Sequence, residues 1–90
     1  MQIQQNATDN NWQNNFLAIN QLRQVHKTYC SEANFILNHF RQFLLKCVSS
    51  EKTYIIKNTL ALFTEMIMMH KQSGLSEENI AGIYQAIIEF

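Results

Sequence analysis

Gln72-Ser-Gly-Leu-Ser76 is the sharpest break in the chain, and the elements on either side of it decide the fold. Gly74 suits the left-handed position that ends a helix, Ser76 suits the N-cap of the next, and Leu75 with Ile80 can staple the new helix start. Upstream, Ile55 or Ile56, Thr59, Leu60, Phe63, Met66 and Ile67 recur at three- and four-residue spacing, the period of one helix face. Tyr54, Leu62 and Met69 lie off that stripe, and so wide an apolar surface predicts a helix packed on two sides. Downstream, Ile80, Ile83, Tyr84, Ile87 and Ile88 carry the helical period toward Phe90.

The same signals recur toward the N-terminus. Ser49-Ser-Glu-Lys52 is a second break, in which either serine can cap the following helix. The stripe before it is Ala33, Ile36, Leu37, Phe40, Phe43, Leu44, Cys47 and Val48. Cys30-Ser-Glu-Ala33 separates that stripe from an earlier one formed by Trp12, Phe16, Ile19, Leu22, Val25 and Tyr29. Ser31 fits the N-cap there, with Glu32 at the positive end of the helix dipole. Asp9, Asn10 or Asn11 can cap the first helix. Residues 1–10 are polar without a sustained period and are expected to be a flexible segment, which leaves 11–90 as the helical domain.

Four helices of roughly fifteen residues joined by short loops require sequential neighbours to pack nearly antiparallel. Two all-α arrangements satisfy this: helical hairpins stacked as HEAT-like repeats, and a closed four-helix bundle. The apolar run Ile87-Ile88-Glu89-Phe90 favours the stack, whose open end another repeat or chain would cover. The expectation is therefore a part of a larger array.

Ninety residues make at most one small domain, and an apolar content of 47% is too high for a disordered tail. Lys and Arg balance Asp and Glu, so the broad positive field of a nucleic-acid or anionic-lipid binder is missing. The polar helix faces carry Asn and Gln rather than Lys and Arg, which argues against a helix lying on a membrane. Cys30 and Cys47 have no CxxC pattern and no His at ligand spacing, and they read as reduced thiols of a cytoplasmic protein. With no secretion signal to accompany it, the sequon Asn6-Ala7-Thr8 reads as accidental.

No catalytic constellation emerges. His26, His39 and His70 fall on different helices, each without a carboxylate or second histidine one turn away, and metal or acid-base chemistry needs such groups to converge. Ser49 and Ser50 read as caps, two glycines cannot build a phosphate-cradling loop, and Met66, Met68 and Met69 read as core filling. The reading is a non-enzymatic chain without cofactor or metal, hence a protein-binding scaffold. Its candidate contacts are Trp12 at one helix start, and Lys52 and Lys57 at another. If the first and third helices lie side by side, the aromatic and the amines share one ridge. The alternative for Trp12 is a first-turn ring folded back over the second helix, rewarded by burial.

At these same residues the chain resembles a known family. Trp12-Gln-Asn-Asn-Phe-Leu-Ala18-Ile-Asn-Gln-Leu22-Arg23 resembles the first repeat of TOG domains, the tubulin-binding HEAT-repeat arrays, and in particular the CLASP and crescerin type. Val48-Ser-Ser-Glu-Lys52-Thr-Tyr-Ile55-Ile-Lys57-Asn-Thr59-Leu60 resembles the second repeat, and Phe63-Thr-Glu-Met66 continues in the same style. The resemblance covers about residues 11–70. It implies that Trp12 is an aromatic anchor on tubulin, that Lys52 and Lys57 reach acidic tubulin surface, and that the protein is cytoskeletal, in a cilium or axoneme among other places. Asn11 stands where the family has an acidic residue, Asn15 where it has a basic one, and Thr59 where it has Ala. A complete TOG domain is also longer than this chain. The competing expectation is a HEAT-like scaffold that docks on another protein through Ile83, Ile87 and Phe90, without touching tubulin.

Overall fold

A computed structural model describes residues 2–8 and 11–89, so the cap candidates Asp9 and Asn10 and the docking candidate Phe90 lie outside the described residues. The chain folds as α1 (Gln2–Thr8), α2 (Trp12–Thr28), a 3-10 turn (Cys30–Glu32), α3 (Ala33–Val48), α4 (Thr53–Met68), α5 (His70–Ser73) and α6 (Glu77–Glu89). Strands are absent among the described residues, and the fold is all-α.

The Gly74 break behaves as its residues dictate. Gly74 takes φ 69°, the left-handed conformation that a side chain resists, and ends α5. Ser76 Oγ accepts from the Asn79 amide at 3.2 Å, which satisfies one of the orphan donors at the start of α6. Leu75 and Ile80 both pack on the main core. Asn11 caps α2, its side chain accepting from the Gln13 amide at 2.8 Å.

Four expectations need correction. Residues 2–8, expected to lack regular structure, form α1, which packs on α2 with Ala7 buried and Asn6 O accepting from Asn15 Nδ2 at 2.9 Å. Ser31 does not cap α3; it lies inside the 3-10 turn, and α3 starts without a side-chain cap. The third helix breaks at Met69, so α5 is a separate turn. Of Met66, Met68 and Met69, Met66 alone fills the core, while Met68 and Met69 are exposed.

The helices form two layers. Trp12 meets Tyr54, Asn20 meets Asn58 and Arg23 meets Glu65, so α2 and α4 run parallel, side by side. Asn34 meets Ser76 and Asn79, Arg41 meets Asn79, and Leu45 shares a cleft with Glu89, so α3 and α6 run parallel in the second layer. A closed bundle would put α2 and α4 on a diagonal; here side-chain hydrogen bonds join them directly. The smallest extent of the molecule, 17 Å, is the thickness of two helix layers, and the other two are 34 and 29 Å. Between the layers lies one core, with Ala18 and Leu22 from α2, Ile36, Phe40 and Leu44 from α3, Leu62, Phe63 and Met66 from α4, and Ile83 and Ala86 from α6. The hairpins are thus stacked, and this stacking brings the starts of α2 and α4 to one edge.

Candidate functional site

The edge where α2 and α4 begin carries three exposed side chains, with Lys52 and Tyr54 both beside the Trp12 ring. Asn11 starts α2, so Trp12 is its first residue and its ring stands at the end of the layer, 38% exposed. Ser50 Oγ accepts from the Lys52 amide at 3.0 Å, which turns the chain at the foot of α4 and presents Lys52 and Tyr54 beside that ring. Lys52 Nζ lies 5.6 Å from the centroid of the Trp12 ring, within cation–π range. The Tyr54 ring stacks on Trp12 with centroids 6.4 Å apart and planes 17° from parallel, and Tyr54 is 68% exposed.

The structure therefore joins two of the residues singled out in the sequence, Trp12 and Lys52. It leaves Trp12 between the two readings of its role: packed against its neighbours, yet open to solvent over more than a third of its surface. Its ring contacts include Lys52 and Tyr54 at the start of α4. Lys57 is exposed on α4, three residues past Tyr54 and on adjacent helix surface, outside the ring contact itself. Tyr54 is the member that the sequence reading missed as a contact. Its position off the apolar stripe, two residues after Lys52, was the available signal.

Beneath the ridge a polar latch holds α2 to α4. Arg23 donates to Glu65 through Nε at 3.1 Å and Nη2 at 2.7 Å, a bidentate pair, and through Nη1 to Asn58 Oδ1 at 2.7 Å. Asn58, itself buried, donates to Asn20 Oδ1 at 2.8 Å. The Arg23 hydrogen bond and charge hold the Glu65 carboxyl below its ordinary value, and the Glu65 hydrogen bond raises the guanidinium. A matching latch joins α3 to α6: Arg41 Nη2 donates to Asn79 Oδ1 at 2.6 Å, and Asn79 Nδ2 donates to Asn34 Oδ1 at 2.8 Å. Both latches set the register between stacked helices, and the first fixes how Trp12 meets Lys52.

The remaining reactive groups do not assemble. His26 is 2% exposed with Nε2 unpartnered, and desolvation lowers its pKa. His39 stacks on Phe35 at the surface, and His70 Nδ1 lies 2.8 Å from Ile67 O. Burial pushes the Cys47 thiol up to about 11, which leaves it without a nucleophilic thiolate near neutrality; Cys30 and Cys47 are both free thiols. Among the described residues no three His, Cys, Asp or Glu side chains converge as a metal site. No helix formed by those residues is long and apolar enough to cross a membrane.

The α6 docking candidates separate. Ile83 is 2% exposed and belongs to this chain's own core, because it faces the layer interface; it is not a displayed contact. Ile87, one turn past Ile83, is half-exposed at the margin of that buried face, and Ile88, further round the helix, is 81% exposed. Comparison with protein-family models, curated proteins and solved structures finds no match to this chain.

Proposed function

We propose that this chain is a non-enzymatic protein-binding module of stacked helical hairpins that engages tubulin, free or in the microtubule lattice, through the ridge of Trp12, Lys52 and Tyr54, with Lys57 beside it. The observation that carries the reading is the placement of Lys52 Nζ 5.6 Å from the Trp12 ring, contributed by the starts of two different helices. A large aromatic flanked by an amine is the composition of interface hot spots. The ring contact holds the amine without neutralising it, so its charge is available to an acidic partner surface. Acidic tubulin is the partner that the TOG resemblance of residues 11–70 implies, with a place at the cytoskeleton and in cilia or axonemes. The activity is association alone, and it calls for no cofactor.

Co-sedimentation with assembled microtubules tests this at low and moderate salt, with circular dichroism to follow folding. The wild-type chain is expected to pellet, less so as salt rises. Trp12→Ala and Lys52→Glu are expected to weaken binding at least about tenfold while remaining helical, as loss of a hot-spot contact does. A folded wild-type chain that stays in the supernatant, or folded variants that pellet as well as wild type, would overturn the proposal.

A further inference from the structure

The layer of α3 and α6 holds a cleft that the Trp12 ridge does not use. It has a volume of about 220 Å³, and its floor includes Leu44, Phe63 and Ile83, all nearly fully buried. Leu45 on α3, 44% exposed, stands at the rim, and Gly82 and Ala86 form the α6 wall. Gly82 lies inside α6, where glycine is a poor helix former, and its φ is outside the left-handed region that would call for one. A Cβ added there would meet nothing within 4 Å, so no packing contact excludes a side chain either. What glycine does at this position is keep the cleft open.

One charged side chain of the cleft is held in place. Arg41 Nη2 donates to Asn79 Oδ1 at 2.6 Å, and the buried Asn79 donates in turn to Asn34 Oδ1. Asn34 is itself fixed, accepting from the Ser76 amide and donating to Gly74 O. These bonds set the guanidinium beside the apolar floor, and among the described residues no carboxylate pairs with it. Its remaining donors form a planar fork that matches a carboxylate. Glu89, the acid that lines the cleft, accepts from Gln85 Nε2 at 3.2 Å and lies about 15 Å along α6 from Asn79, a separation of ten residues. It repels an acid at its own end and so gives a ligand its direction. An apolar cavity of about 150 Å³ holds benzene, so by proportion this cleft has room for about nine non-hydrogen atoms. We infer that the cleft binds a small monocarboxylic acid, with its carboxylate on Arg41 and its apolar tail over Leu44, Phe63 and Ile83. The site belongs to α3 and α6, whereas the ridge belongs to α2 and α4, and the inference does not depend on tubulin binding.

Heptanoate is the probe, with heptanol to test the tail alone and acetate to test the carboxylate alone. Two-dimensional NMR of the labelled full chain reads the result. Heptanoate is expected to shift the amides of Gly82 and Ala86 saturably, with a Kd of about 1 mM, the scale that a ligand of its size reaches. Heptanol and acetate should bind at least about tenfold more weakly, as a charge-assisted contact or an apolar tail is missing. Arg41→Gln, which keeps a donor toward Asn79 and removes the charge, should weaken heptanoate about tenfold and leave heptanol unchanged. Gly82→Leu places a side chain in the open space beside a helix that tolerates it, and should abolish the heptanoate shifts with the helical signal retained. A folded wild-type chain without a saturable heptanoate shift, or with shifts away from α3 and α6, overturns the inference, as does binding that survives Gly82→Leu. Heptanol that binds as tightly as heptanoate, or Arg41→Gln that binds like wild type, overturns the role of Arg41 and with it the acid as ligand.

Discussion

Trp12 carries structural and recognition roles in separable amounts. Its contacts with Lys52 and Tyr54 are surface contacts, each worth about 0.5–1 kcal/mol for a cation over a ring or for a pair of stacked rings. Trp12→Ala should therefore lower stability by only about 1–2 kcal/mol, measured by urea unfolding, while its effect on partner binding is larger. His26 makes the opposite case, a buried group that limits stability in acid. Desolvation lowers its pKa below the ordinary 6.5, and the Glu65 charge only partly opposes this. The unfolded chain binds the proton more readily, so the contribution of neutral His26 is fully present above pH 6.5 and is lost as pH falls below it. Glu65, held below its ordinary 4.5 by Arg23, adds a second loss at lower pH with the same sign. Unfolding midpoints compared at pH 7 and pH 5 should fall for wild type and change much less for His26→Leu; equal slopes would show that His26 is not the titrating group.

At the scale of helices, the latches decide how the elements meet. Asn58 is buried and bonded both to Arg23 and to Asn20, so Asn58→Ala strips partners from two polar groups at once. The expected cost is about 1–3 kcal/mol in chemical unfolding, more than the half-exposed ion pair Arg23–Glu65 alone would contribute. The main helices and their boundaries were legible because their signals are local: apolar period, Gly74 in a left-handed turn, and Ser76 over the Asn79 amide. The layering was legible in outline too, since short loops leave few alternatives. The short α1 was not legible. Seven residues with only Ile3 and Ala7 as apolar anchors cannot hold a helix alone, and this one exists through its contact with α2. The latches were equally hidden, because an Asn in a helix sequence does not reveal which residue it meets across a stack. Of the ridge, Trp12 and Lys52 were readable, whereas the part played by Tyr54 follows from the register between α2 and α4.

For the molecule as a whole, a slab two helices thick has edges and ends in place of a closed surface. The edge holds the aromatic and basic ridge, one end is covered by α1, and the layer of α3 and α6 carries the Arg41 cleft. Removing residues 1–8 would expose the side of α2 that Ile3 and Ala7 cover, with an expected loss of about 2 kcal/mol for one partly and one fully buried apolar side chain. Hydrogen exchange should then accelerate in α2 more than in α6, whereas a uniform change would indicate that α1 does not act as a local cover. The ridge carries its own reporter, because Trp12 is the chain's one tryptophan. The most direct measurement is a titration of the labelled chain with tubulin, following the indole N–H resonance in two-dimensional NMR. This signal and the amides of Lys52 and Tyr54 should broaden first, ahead of those of α6; an indole signal unchanged while tubulin binds elsewhere, or does not bind at all, would contradict a tubulin-binding ridge.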